Sequence, residues 1–272
     1  MSDSKHSPLR IAIWVMAVAL VGAVVFALLG PDLGDSSTPL YEEPPQDAQW
    51  VLFVGNSHTF YNDLPDMVQR LADSDEKGAP IWTEELVRGG ADLSDHLGAP
   101  QLRATIGREN FDFVVIQGGS LEPLIDPDKF AESFREIASL AKAEGAVPVL
   151  YEVWPRAEND PLYDHPMMPQ SPDLFAREII AATDKALEGS DALLAPAGRA
   201  WERSRRQGTG ISLYMEDGNH ATPAGTYLAA LVIYATIRDT DLLDDLWYPR
   251  RHLSSQEAAT LQKLASAVTD RD

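Results

Sequence analysis

The chain has 272 residues, no cysteine and a formal net charge of −20 at pH 7. The missing cysteines exclude disulfides, thiolate metal sites and a cysteine nucleophile. The acidic balance argues against nucleic acid as a partner, since phosphate binding needs a basic patch, and against adhesion to anionic lipid head groups; its ordinary meaning is a solvated surface that keeps a protein soluble.

In chain order, residues 1–10 carry Lys5 and Arg10 against one acid, Asp3, and Ile11 to Leu29 then runs without a charge to Gly30-Pro31. At about 1.5 Å per residue, a helix of that length spans roughly 28 Å, close to the hydrocarbon thickness of a bilayer. The basic flank places the N-terminus in the cytoplasm and the remainder outside, in the periplasm or at the cell surface. The expectation is therefore a cytoplasmic end over residues 1–10 and a single transmembrane anchor over 11–30. A cleaved signal peptide is the rival reading, although its apolar core runs to about 7–15 residues before a small-x-small site. Without cysteine, a lipoprotein anchor is excluded. Residues 31–49 are rich in Pro, Asp, Glu and Ser and read as a flexible linker, leaving 50–272 as one domain.

In that domain short apolar runs alternate with helix-like stretches. Trp50–Val54, Ile81–Val87, Phe111–Gln117, Val147–Val153 and Ala192–Pro196 have strand length, and most are apolar throughout, as strands covered on both faces are. Leu64–Ala72, Phe130–Ala143 and Leu174–Leu187 repeat apolar residues at helical spacing. The alternation predicts an α/β fold, a flavodoxin-like three-layer α/β/α sandwich with a central, mostly parallel five-stranded sheet. Thr222-Pro223 reads as an N-cap with proline at the first helical position, before an apolar face of Leu228, Leu231, Val232 and Ala235. Ser254-x-x-Glu257 reads as a capping box for a last helix.

Right-handed crossovers bring the C-terminal ends of all strands to one rim, where the connecting loops build a site. Val51-Leu-Phe-Val-Gly-Asn-Ser-His-Thr59 places Ser57 on that rim, just past the first strand. Alone, such a serine is as readily a helix cap. Far downstream, Asp217-Gly-Asn-His220 puts a carboxylate three residues before an imidazole, just ahead of a helix. That spacing lets Asp217 accept from one ring nitrogen of His220 while the other faces Ser57, which supplies nucleophile, base and orienting acid. His58 adjoins the serine and is expected to point elsewhere; His96, His165 and His252 lack a comparable acid, although Asp164 adjoins His165. An oxyanion hole needs preorganised donors. The Ser57 backbone N–H is one candidate, and Arg88-Gly89-Gly90-Ala91 offers Gly90, with Gly89 as the alternative. The third candidate is the Gln117 side chain in Gln117-Gly-Gly-Ser120, with Ser120 as the alternative. Asn56, Ser120 and Trp154 are the candidate substrate contacts. Trp154 opens a long loop to Met168 that either shapes an acyl or sugar pocket or only covers the rim.

On these residues the chain resembles the SGNH hydrolases, the GDSL-like esterase superfamily. Gly55-Asn56-Ser57 is similar to the family's first block, with asparagine where the family carries aspartate. Gly90 falls at the second-block glycine, and Asp217-Gly-Asn-His220 with Thr222-Pro-Ala-Gly225 at the last block. The third block departs, because Gln117-Gly-Gly-Ser120 stands in place of Gly-x-Asn-Asp. The resemblance implies a serine esterase that needs no metal or other cofactor. Its expected substrate is a small-molecule or carbohydrate ester carrying an acetyl or other short acyl group. An acyltransferase of the same fold and a non-catalytic envelope binding protein are the alternatives. The expected partners are that substrate and, through the N-terminal helix, the membrane; the oligomeric state is left open.

Overall fold

The computed structural model describes residues 43–239, 242 and 246–269. The expected anchor over 11–30 lies outside them, as does the linker before residue 43. Among the described residues no helix is long and apolar enough to cross a membrane.

Five parallel strands form one sheet: β1 (Gln49–Gly55), β2 (Ile81–Val87), β3 (Phe113–Ile116), β4 (Val147–Tyr151) and β5 (Leu193–Ala195). Their order is β2-β1-β3-β4-β5, with every pair parallel. This is the flavodoxin-like order of a doubly wound sheet. The sequence placed each strand; β3 and β4 are shorter than the apolar runs that announce them, with Phe111, Asp112 and Gln117 flanking β3 and Glu152 and Val153 following β4.

Helices cover both faces. On one lie α2 (Leu64–Ser74), α8 (Ala197–Gln207), α9 (Pro223–Arg238) and α10 (Ser255–Thr269); on the other, α3 (Leu93–Leu97), α4 (Pro100–Ile106), α6 (Pro127–Ala143) and the apolar side of α7 (Pro172–Leu187). Short α1 (Ser57–Phe60) and α5 (Glu122–Ile125) follow β1 and β3. β1 shows why Val51–Val54 is apolar throughout. Val51 and Phe53 enter the first core, Leu52 and Val54 the second, and all four are buried. A strand with one wet face would alternate polar and apolar instead.

Thr222 caps α9 by accepting from Gly225 N–H at 3.2 Å, and Pro223 follows at the first helical position. The apolar stripe predicted for α9 understates its burial. Every residue from Ala224 to Ile237 is buried, so the helix is apolar all round because neighbours surround it. Ser254 and Glu257 cap α10 reciprocally: Ser254 N–H donates to Glu257 Oε2 at 2.8 Å and Glu257 N–H to Ser254 Oγ at 3.3 Å. The sequence reading missed α8, because its Arg- and Glu-rich surface obscures the three core residues, Ala197, Ala200 and Trp201, that anchor it.

Two strands leave β1 in opposite directions along the sheet: the chain moves to β2 on one side, then crosses to β3 on the other. A crevice opens at such a reversal, outside the carboxyl ends of the strands. The turn after β1 and the loop after β3 border it. Leu231, fully buried in α9, tests the core beneath. Leu231→Ala is expected to cost about 2–5 kcal/mol, read as a lower urea midpoint with an unchanged slope.

Candidate active site

Ser57 begins α1 directly after Gly55 and Asn56. Its Oγ lies 2.9 Å from His220 Nε2, and His220 Nδ1 lies 2.5 Å from Asp217 Oδ2. The backbone N–H groups of Asn219 and His220 both donate to Asp217 Oδ1 at 3.0 Å. Burial raises the Asp217 carboxyl, but the hydrogen bonds from the His220 ring and from these two amides outweigh it and hold the group well below the usual carboxylate range. An ionised carboxylate only accepts, so Nδ1 carries the ring proton and Nε2 is left to accept from the Ser57 hydroxyl. The three residues named from the sequence are thus one hydrogen-bonded chain.

Asn56 sets the turn. Its N–H donates to Gln117 Oε1 at 3.0 Å and its Oδ1 accepts from His58 N–H at 3.1 Å. Its Nδ2 donates to Ala91 O at 2.9 Å and to Gly118 O at 3.3 Å. The nucleophile turn is thereby tied to the loop after β2 and to the loop after β3. This corrects the expectation that Asn56 contacts substrate: the side chain is 2% exposed and its polar atoms are engaged. It also accounts for asparagine at this position, since an aspartate there could not donate to two carbonyls.

Gln117 is corrected for the same reason. Its Oε1 accepts from Asn56 N–H and from Thr59 Oγ1 at 2.9 Å, while Nε2 donates to Gly118 O. The atom facing a backbone N–H must be the oxygen, so the amide orientation is determined, and the side chain is buried. It braces the turn rather than serving as a third oxyanion donor. Gly55 permits that bracing, because a Cβ there would lie 2.5 Å from Thr59 Oγ1 and 2.6 Å from Gln117 Oε1. Ser57 N–H and Gly90 N–H have no acceptor among the described residues. Gly90 has φ +68° and is exposed, a backbone that favours glycine. Arg88 N–H donates to Gly55 O at 3.0 Å, which holds the Gly89–Gly90 turn beside the nucleophile.

Trp154 is the third correction. It is buried, stacked on Trp201 at 4.0 Å, with Nε1 donating to Asn219 O at 2.9 Å. It supports the Asp217–His220 loop from below and has no face left for a substrate. Ser120 is half-buried and accepts from Arg156 Nη2 at 3.2 Å. Of the loop from Trp154 to Met168, Trp154, Pro155, Tyr163 and Met168 are buried, while its other residues are half-buried or exposed.

Several residues at the site carried no legible signal. His58 is buried against Trp154 and 5.6 Å from His220, and burial first, then the His220 and Arg156 charges, push its pKa well down. His96 Nε2 donates to Gly55 O at 2.9 Å. Glu122 accepts from Leu93 N–H at 3.1 Å and Gly119 N–H at 2.8 Å, joining the loops after β2 and β3. Tyr61 stacks on His220. Only serine, histidine and carboxylate in family spacing are recognisable in a sequence; partners drawn from different loops are not. Among the described residues no cluster of His, Cys, Asp or Glu could hold a metal ion.

No protein-family model matches the chain, and no curated protein sequence matches it. Solved structures do. The chain is similar to an SGNH hydrolase from Slackia heliotrinireducens, at 34% identity and a TM-score of 0.60, over 70% of this chain and 99% of that one. A DUF4886 family protein from Bacteroides uniformis matches with a TM-score of 0.68 at 17% identity, over 82% and 95%. Axe2, an acetylxylan esterase from Geobacillus stearothermophilus, matches with a TM-score of 0.53 at 15% identity, over 71% and 96%. The last two show the shared fold.

Burial, opposed by the bond from Gly119 N–H, pushes the Glu122 carboxyl up to about 7. A carboxyl raised above its unfolded value binds its proton more tightly when folded. Its contribution is full below about pH 4.5 and fades as pH rises through about 7. Glu122→Gln is therefore expected to cost more stability at pH 5 than at pH 8, by up to about 3 kcal/mol, read from urea midpoints at both pH values.

Proposed function

Because the chain belongs to the SGNH hydrolase superfamily, at 34% identity to a member it covers over 99% of its length, we propose that it is a serine esterase. Ser57, His220 and Asp217 perform the chemistry. The observation that carries this reading is the continuous hydrogen-bonded chain from Asp217 through His220 to Ser57. An acetylxylan esterase of the same fold supports short acyl esters of carbohydrate as the substrate class. The apolar run before Pro31 and the linker after it support placement outside the cytoplasm, tethered by the N-terminal helix.

In the first half-reaction, Ser57 Oγ attacks the ester carbonyl as its proton passes to His220 Nε2. Asp217 steadies the imidazolium that forms. The carbonyl oxygen becomes an oxyanion that accepts from Ser57 N–H and Gly90 N–H. These donors are backbone groups on tied-down turns and need no reorganisation as the charge appears. The intermediate collapses, the C–O bond to the alcohol breaks, and His220 Nε2–H protonates the departing alkoxide. Water then attacks the acyl-enzyme, giving one proton to His220. A second collapse releases the acid and returns the proton to Ser57 Oγ.

Hydrolysis of p-nitrophenyl acetate by the full chain tests the reading. Ser57→Ala and His220→Ala are expected to lose at least about 10³-fold in kcat, and Asp217→Asn on the order of 10³-fold, each with an unchanged thermal midpoint. Equal rates in the wild type and the Ser57→Ala variant, with no labelling of Ser57 by a fluorophosphonate, would reject it.

A further inference from the structure

The hydrogen bonds at Nδ1 and Nε2 fix the line of the His220 ring between Asp217 and Ser57. Both lie at the ring edge, so neither opposes a tilt about that line. Tyr61 lies flat on the imidazole, with ring centroids 4.2 Å apart and planes 11° apart. Phe60 stacks behind Tyr61 at 5.6 Å and 25°. A Cβ placed on Gly89 would meet Phe60 Cζ at 4.0 Å, so the aromatic pair reaches from the glycine turn after β2 to the catalytic ring.

The chain spends backbone strain to present this ring. Asn62 and Asp63, directly after Tyr61, have φ of 52° and 57°. Consecutive left-handed residues other than glycine are rare, and asparagine and aspartate are the types that tolerate the conformation. Such strain persists where surrounding contacts over-determine it, and it concentrates at functional sites. The contacts are present here. Asn62 Nδ2 donates to Ala221 O at 2.9 Å and to Thr226 Oγ1 at 2.8 Å. Ala221 follows His220, and Thr226 lies in the first turns of α9. The Tyr61 turn is thus fastened to the segment that carries the histidine, although the two are far apart in sequence.

We propose that Tyr61 is a positioning residue for His220, with Asn62 as its fastener: the Tyr61 ring sets the tilt of the imidazole toward Ser57, and its face receives the positive charge that the ring acquires during acyl transfer. An aromatic face carries the negative end of its quadrupole and attracts a cation held against it. The uncharged ring is attracted less than the imidazolium, so the contact is stronger in the transition state than in the ground state and acts on kcat. Burial first, then the Asp217 charge, raises the Tyr61 phenol, which keeps it uncharged across the working range. This inference rests on the esterase reading above.

The experiment compares the full chain with its Tyr61→Phe, Tyr61→Ala and Asn62→Gly variants, using p-nitrophenyl acetate kinetics and the ring-proton NMR signals of His220, identified by their loss in His220→Ala. Tyr61→Ala is expected to lower kcat by about tenfold or more with KM within twofold. It should also move the His220 ring protons downfield as the ring current is removed. Tyr61→Phe restores most of the rate and the upfield signals. Glycine accepts the Asn62 backbone angles but makes neither side-chain bond. Asn62→Gly should therefore reduce kcat when assayed well below its thermal midpoint, where the variant is folded. Loss confined to KM in Tyr61→Ala would make the residue a substrate contact and overturn the proposal. Equal losses in Tyr61→Phe and Tyr61→Ala, or unmoved His220 signals, would overturn it too. A wild type that neither turns over ester nor labels at Ser57 rejects the esterase reading instead, and the NMR signals still report whether the stack exists.

Discussion

The site depends on one buried amide. Asn56 sits where β1 ends, and its backbone and side chain bind the loop after β2, the loop after β3 and the first turn of α1. Each bond joins polar groups that would otherwise be buried without partners, at a cost of about 1–3 kcal/mol apiece. The network is therefore held together by the penalty of leaving it incomplete. It places the Ser57 N–H on the same structural unit as Gly90 N–H. Oxyanion donors are effective when their positions are established before charge develops, and a loop tied by several buried hydrogen bonds meets that requirement.

A second layer of support steadies the histidine. Trp154 lies beneath the Asp217–His220 loop, fixed by its stack on Trp201 and its bond to Asn219 O. Tyr61 covers a face of the ring. Asp217 holds the ring edge and is itself held by two backbone amides. The catalytic loop is thus gripped from its backbone, from below and across its ring. The sheet contributes the frame: parallel strands buried on both faces leave their carboxyl ends at one rim, and the chain order reverses at β1, between β2 on one side and β3 on the other, where such a sheet builds its site.

The charge distribution fits the same division. The chain is strongly acidic overall, yet His58 and His96 near the nucleophile have pKa values lowered chiefly by burial. Arg156 is held between Ser120 and Asp160. Buried ionisable groups around the site either lose their charge or find a partner, as the low dielectric of an interior requires.

The strand and helix pattern was readable because it follows from periodicity, which is local. Apolar runs of strand length, a Thr-Pro start and a Ser-x-x-Glu box each act within a few residues, and all of them occupy the expected places. Ser57, His220 and Asp217 were readable because their chemistry restricts the residue types and the acid–histidine spacing lies on a single loop. The assignments of Asn56, Gln117 and Trp154 to substrate or oxyanion contact came from residue type and rim position alone. Where a side chain points depends on which carbonyl or ring another loop brings near, and residues 56 and 117 meet only through the pairing of β1 with β3. The sequence by itself determined the layers, the rim and the three reacting residues, because local periodicity and chemical type encode them. Tertiary structure alone decided which polar groups brace the site and which face the substrate, because burial and hydrogen-bond partners are properties of distant segments brought together.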